Sequence, residues 1–169
     1  MAAIILEPVS TQSQIDTLCA IAKTVWHETY DDLLPPGQPD YMIEKFQSDH
    51  AVKEQMAREN YRYVLAKLGE AYVGFVGYAP RYQDQEEMYL SKAYILPQGR
   101  GQGVVGALFR LVEEETKKEG LSRVRLTVNK GNAHAKAVYE HYGYRTVEAV
   151  QSDIGGGYVM DDYVMVKEL

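Results

Sequence analysis

Cysteine is almost missing from this chain: Cys19 is the only one in 169 residues. One thiol closes no internal disulfide and builds no zinc site. Such usage fits a reducing compartment, so a cytoplasmic protein is expected. A basic excess is missing too. Lys and Arg number 18 against 24 Asp and Glu, a formal net charge of -6. Nucleic acid and anionic membranes both call for a cationic face, so neither is expected as a partner. No apolar run approaches the ~20 residues of a membrane span. The opening "MAAIILEPVSTQ" has no basic stretch ahead of a long apolar one, so no signal peptide is expected. Repeats and low-complexity linkers are also missing, and the chain reads as one domain, 1–169. What is abundant is tyrosine, at 14 residues. Its ring buries well while its tip stays polar, which suits a pocket wall or a core edge.

Hydrophobic spacing gives the order of elements. "AIILEPV" predicts a short strand closed by Pro8, and Ser10 or Thr11 then caps a helix. Ile15, Leu18, Cys19, Ala22, Val25, Trp26 and Thr29 form one buried stripe on it. "LLPPGQP" breaks the chain, and residues 39–59 form one or two short helices anchored by Tyr41, Ile43 and Phe46. "YRYVLAKLGEAYVGFVGYAP" predicts a hairpin turning at Leu68-Gly69-Glu70, and "EMYLSKAYIL" a further strand ended by Pro97 and Gly99. A helix from about Gly103 to Glu119 buries Val104, Val105, Leu108, Leu111 and Val112. Lys117 and Lys118 suit its C-terminal dipole, and Gly120 stops it. "RVRLTV" is the next strand, and Asn132 caps a short helix through His141 that Gly143 ends. "YRTVEAV" and "YVMDDYVMVK" are final strands joined at Gly155-Gly156-Gly157. The order is β-α-α-β-β-β-α-β-α-β-β, an α/β (α+β) fold with a mixed sheet and helices on its faces.

Between the third hairpin-region strand and the long helix lies "ILPQGRGQGVVGALF", which spells G-x-G-x-x-G at Gly101, Gly103 and Gly106. A dinucleotide fold needs an acid ~20 residues on to hold a ribose, and a strand running straight into the glycines. Here the following strand ends in Asn129-Lys130, and Pro97 separates the glycines from the strand before them. No Gly-Lys-Ser/Thr follows, so a P-loop is excluded. Two readings stay open on these residues alone. One is an anion cradle, made of helix-start amides, close backbone approach at Gly101 and Gly103, and the forked cation of Arg100. The other is a loop that merely turns a strand into a helix.

The wider pattern decides between them by resemblance. Pro97, Arg100, Gly101, Gly103 and Val105 resemble the strand-Pro-x-x-Arg/Gln-x-x-Gly-x-Gly/Ala motif of the GNAT superfamily of N-acetyltransferases, with Val105 where Gly or Ala is usual. "NAHAKAVYEHYGYRTV" resembles the later motif of the same family through Asn132, Ala135, Tyr139, Gly143 and Tyr144. The two motifs occur in the family's order, one helix and one strand apart. "YLSKAYILP" and "GGGYVMDDYVM" are similar to a bacterial branch that includes polyamine-type acetyltransferases.

The resemblance implies a GNAT-type, mostly antiparallel sheet of about seven strands. It implies acetyl transfer from acetyl-CoA to a primary amine by direct attack in a ternary complex, with no metal. The amine belongs to a small molecule, polyamine- or amino-acid-like, or to a protein. A non-catalytic acyl-CoA-binding module is the alternative. The coenzyme arm is implied along Ala93, Tyr94 and Ile95, where the sheet splays, with a Tyr94 or Ile95 amide as oxyanion donor. Its pyrophosphate is implied on Arg100, Gly101, Gln102, Gly103, Val104, Val105 and Gly106, with Asn132 beside the arm. Tyr139 is the implied general acid and Glu87 the implied base. His27 and Tyr30, at the end of the first helix, are implied at the acceptor pocket. Asp161 and Asp162 sit on one strand and point to opposite faces, so at most one meets the site. Dimerisation through the final strands is an open possibility.

Overall fold

Thr11, not Ser10, starts the first helix. Its hydroxyl accepts from the Gln14 amide at 3.2 Å, and the Gln14 side chain returns to the Thr11 amide at 2.9 Å, a reciprocal cap. This computed structural model describes residues 2–169. The elements are β1 (Ile4–Pro8), α1 (Gln12–Tyr30), α2 (Gln38–Phe46), α3 (Asp49–Arg58), β2 (Arg62–Leu68) and β3 (Ala71–Pro80). They continue as β4 (Met88–Ile95), α4 (Val104–Lys118), β5 (Arg123–Asn129), α5 (Ala133–His141), β6 (Arg145–Gly155) and β7 (Tyr158–Glu168). Residues 39–59, expected to form one or two short helices, form two, one more than the expected element order carries. Ser48 divides them, because its hydroxyl accepts from the Ala51 amide and begins a new helix.

One seven-stranded sheet runs in the order β1-β2-β3-β4-β5-β7-β6. Every neighbouring pair is antiparallel except β4 and β5. On one face, Val104, Leu108, Phe109 and Val112 of α4 pack with Val76, Leu90, Val124 and Met165. On the other, Leu18, Ile21 and Ala22 of α1 and Val52 of α3 pack on Leu65 and Phe75. Burying a leucine as completely as Leu18 or Leu108 contributes about 1.5–3 kcal/mol. The α2 helix docks through Met42 against Trp26 and Ile154. Among the described residues, no helix is long and apolar enough to cross a membrane.

Two irregularities position everything that follows. The parallel pair β4–β5 keeps only the rungs Met88↔Val124 and Tyr89↔Arg125, and from Leu90 onward the strands part. In β4, Gly77 of β3 pairs with Lys92 while Tyr78 pairs with Leu90, so Ser91 is an extra residue. The bulge shifts the alternation of faces. Leu90 and Ala93 join the α4 side. Tyr94 joins the α1 side, and Lys92 lies over the Tyr61 and Tyr63 rings.

Candidate active site

The gap between β4 and β5 opens into a cleft of about 700 Å³. Ala93, Tyr94 and Ile95 form one wall, on the edge of β4 that has lost its β5 neighbour. At the mouth, Gly101 and Gly103 take φ of +73° and +83°, the left-handed region that glycine enters without strain. Gly103 is the N-cap of α4, and among the described residues no side chain caps this helix. Ala107 is the first residue whose amide bonds back along it, to the Gly103 carbonyl. The amides of Val104, Val105 and Gly106 are therefore left for a ligand, at the positive end of the helix dipole. A Cβ built on Gly101 would meet nothing within 4 Å, so the approach is open.

Arg100, Val104 and Val105 line this cleft. The Arg100 guanidinium is held at the rim by the Glu28 carboxylate and the Ile95 carbonyl. Of the remaining expected cofactor residues, one turns away and one keeps only its backbone toward the cleft. Gln102 is exposed and donates to the Gln98 carbonyl. Gly106 is buried beneath Tyr142, whose hydroxyl would lie 3.1 Å from an added Cβ, so it offers only its amide.

Tyr139 projects from α5 into the same cleft, with its ring stacked on Phe109 at 5.9 Å. Burial, together with nearby Tyr30, raises its phenol above the ordinary tyrosine range, so it keeps its proton at neutral pH. Asn132 lines the cleft while its side-chain oxygen caps α5 through the Ala135 amide. The Tyr30 ring lies tilted against Trp26, centroids 4.5 Å apart, and its hydroxyl lies against Asn132.

A second cavity of about 510 Å³ lies on the α1–α2–α3 side. Tyr30, Ser91, Tyr94 and Thr127 line both spaces, so the two meet at these four residues. Its wall combines aromatic side chains, among them Trp26, Tyr61 and Tyr89, with polar and charged ones such as Glu59, Lys92 and Asp162.

Two sequence-based assignments do not survive. Glu87 sits at the closed end of the β4–β5 seam, where Arg125 holds it at 2.8 Å and Arg123 lies at 3.6 Å. It lines neither cavity, and Tyr94 is seven residues further on, about 23 Å along a strand. Its carboxylate is paired with two arginines, away from both cavities. His27 also lines neither cavity. Trp26 and Tyr30 are one helical turn apart and both line the second cavity; His27 is rotated off that face and bonds Asp31 at 2.8 Å and Asp40 at 3.1 Å. It ties the end of α1 to the start of α2.

Two residues entered the site that sequence reasoning left unassigned or open. Asp162 is the inward member of its pair, 5% exposed, while Asp161 turns out to Lys130 at 2.9 Å. Burial first, then the neighbouring Asp161, raises its carboxyl to about 6. Lys92 is 4% exposed and lines the second cavity. Burial lowers its ammonium to about 7. The bulge moves it from the α4 side, where Met88 and Leu90 point, to the side of the Tyr61 and Tyr63 rings.

The model of the acetyltransferase (GNAT) family matches residues 25–144. The chain is 36% identical over 95 residues to uncharacterized N-acetyltransferases of Mycobacterium bovis and Mycobacterium tuberculosis, a match covering 56% of this chain and 60% of theirs. The PaiA N-acetyltransferase of Thermoplasma acidophilum, crystallised in complex with coenzyme A, shares the fold at a TM-score of 0.79 and 19% identity, with 99% of each chain covered. A GCN5-related N-acetyltransferase of Rhodopseudomonas palustris does so at 0.80 and 16% identity, covering 100% of this chain and 98% of that one. With the family model spanning both the open helix start of α4 and Tyr139, the chain belongs to the GNAT family of acetyltransferases.

Proposed function

We propose that this protein transfers an acetyl group from acetyl-CoA to a primary amine of a small molecule, by direct attack in a ternary complex. One observation carries the reading. The uncapped start of α4, the unpaired edge of β4 and the Tyr139 phenol all border one cleft, and that cleft meets a second cavity at Tyr30, Ser91, Tyr94 and Thr127. Two joined spaces suit two substrates held at once.

The residues fit a coenzyme of this shape. The amides of Val104 and Val105, with Arg100 at the rim, suit a pyrophosphate. The free edge of β4 suits the amides of a pantetheine arm, in the manner of an added strand. The thioester supplies the activated acetyl group. A backbone amide at Tyr94 or Ile95 stabilises the oxyanion, and Tyr139 protonates the departing thiolate. Cys19 is half-buried among the α1 core residues and lines neither cavity, so a covalent acyl-cysteine has no place in this scheme. The inward carboxylate of Asp162 and the aromatic wall favour an amine that arrives as a cation, a polyamine or amino-acid-like acceptor among them.

Calorimetry with acetyl-CoA, followed by a thiol-release assay over a panel of amines, tests the proposal. Binding with amine-dependent release supports it. No binding at millimolar acetyl-CoA refutes the cofactor assignment. Binding without release from any amine refutes catalysis and leaves an acyl-CoA-binding module.

A further inference from the structure

With Glu87 locked to arginine, the site lacks the base assigned to it, and one side chain in the second cavity has the geometry to replace it. Asp162 lies on β7 opposite Asn129 of β5 and Val150 of β6. Asn129 is the last residue of β5, on the stretch that has parted from β4. Asp162 therefore stands at the opened end of the seam, and it lines the acceptor cavity together with Thr127 and Asn129. It is buried to 5% exposure, and its Oδ1 has no hydrogen-bond partner among the described residues. Buried polar atoms are nearly always paired, and an unpaired carboxylate oxygen is costly. Lys130, the nearest cation, is engaged with Asp161. The carboxyl is thus buried, short of partners, and set in the wall of the cavity that an acceptor would enter.

We propose that Asp162 is the general base for the acceptor amine. This rests on the acetyl-transfer reading of the site. The amine arrives as an ammonium, R–NH3+, and passes one proton to the Asp162 carboxylate. The resulting neutral nitrogen attacks the thioester carbonyl, forming the C–N bond. Collapse of the oxyanion breaks the C–S bond, and the nitrogen loses a second proton. That proton reaches the sulfur by way of the Tyr139 hydroxyl and gives the free thiol. The amide keeps the third, and Asp162 releases the first to solvent.

The surroundings suit the task. Asp161 on the same strand, Lys130 beyond the end of β5 and Tyr30 from α1 are the titratable groups that face Asp162. Desolvation, not these charges, dominates its environment. A carboxyl at about 6 is ionised at neutral pH yet basic enough to hold a proton briefly.

The test is Asp162→Asn, which keeps the shape and removes the base. The expected result is a fall in kcat of about 100-fold or more, the usual scale of general-base loss. Coenzyme affinity by calorimetry stays unchanged, and the acidic limb of the kcat/KM profile near pH 6 disappears. An acceptor amine that is already neutral at the assay pH loses far less. Asp161→Asn is the companion variant. It keeps turnover and moves the acidic limb to lower pH, because Asp161 raises the Asp162 carboxyl. An Asn variant with unchanged kcat and an intact limb overturns the proposal. So does a loss confined to KM, which makes Asp162 a docking contact only. If wild-type protein releases no thiol with any amine, the acetyl-transfer reading itself fails, an outcome separate from both.

Discussion

Lys92 makes stability depend on pH in a direction that follows from the structure. Its ammonium is enclosed by the Tyr61 and Tyr63 rings and donates to the Phe46 carbonyl and to Gln55 Oε1, the latter at 3.0 Å. The titratable groups around it are Cys19 on α1, Glu59 after α3, and the two tyrosines; among the described residues no carboxylate pairs with it. Burial holds its pKa at about 7 in the folded chain, against an ordinary value of 10.5. The unfolded chain therefore binds the proton more tightly. Stability rises with pH through the window from about 7 toward 10.5. At about 1.4 kcal/mol per pH unit, the gain between pH 7 and about pH 9.5 is about 3 kcal/mol. Urea unfolding across that range, on wild type and Lys92→Met, is the assay. Both acceptors keep a donor in the variant, since Gln55 Nε2 reaches the Phe46 carbonyl and the Tyr63 hydroxyl reaches Gln55 Oε1. Lys92→Met is therefore expected to fold, to match or exceed wild type at pH 7, and to lose the slope. An equal slope in both proteins refutes the assignment of the titration to Lys92. Asp162 acts oppositely at lower pH: its raised carboxyl means stability falls as pH climbs from about 4 to 6. The combined contribution of these two groups is lowest near neutrality.

Other substitutions test other parts of the site. Tyr139→Phe retains the stack on Phe109, so stability and KM are expected to hold while kcat drops about 100-fold; unchanged turnover removes it as the acid. Arg100→Ala is expected to weaken acetyl-CoA binding about tenfold by calorimetry, and the deficit shrinks in high salt because the guanidinium is exposed. Salt-independent affinity argues against a pyrophosphate contact. Gly99→Ala places a Cβ 2.8 Å from Val73 Cβ, an atom that moves only with the backbone, and a loss of about 1–3 kcal/mol in urea unfolding is expected. Unaltered stability shows that the turn before α4 yields.

Sequence patterns reached some of these features and missed others for physical reasons. The start of α4 was legible because its requirements are local: Pro97 ends a strand, and Gly101 and Gly103 supply two positive φ values before a helix. Asn132 was legible as a cap for the same reason. Glu87 and His27 were misplaced because each was located by its position along an element, while its partners come from elsewhere. Arg125 is on β5 and Asp40 on α2, and no spacing within β4 or α1 announces them. Lys92 was invisible because a bulge depends on pairing with β3. Its faint trace is Gly77 across the ladder, where a Cβ would lie 2.5 Å from the Tyr63 ring. Asp162 could be narrowed to one of two by alternation, but choosing between them required the register with Asn129.

The short parallel seam has a mechanical consequence. The sheet is two panels, β1 to β4 and β5, β7 and β6, stitched by two rungs at one edge and unstitched beyond. A ligand lying along β4 adds the missing stitches, so occupancy and the stiffness of the whole sheet are coupled. At 100 times its dissociation constant, a ligand bound only to the folded state adds about 2.7 kcal/mol. That reinforcement falls where the panels are least joined. Amide exchange along the open half of β4 and β5 is where it registers first, before any chemistry takes place.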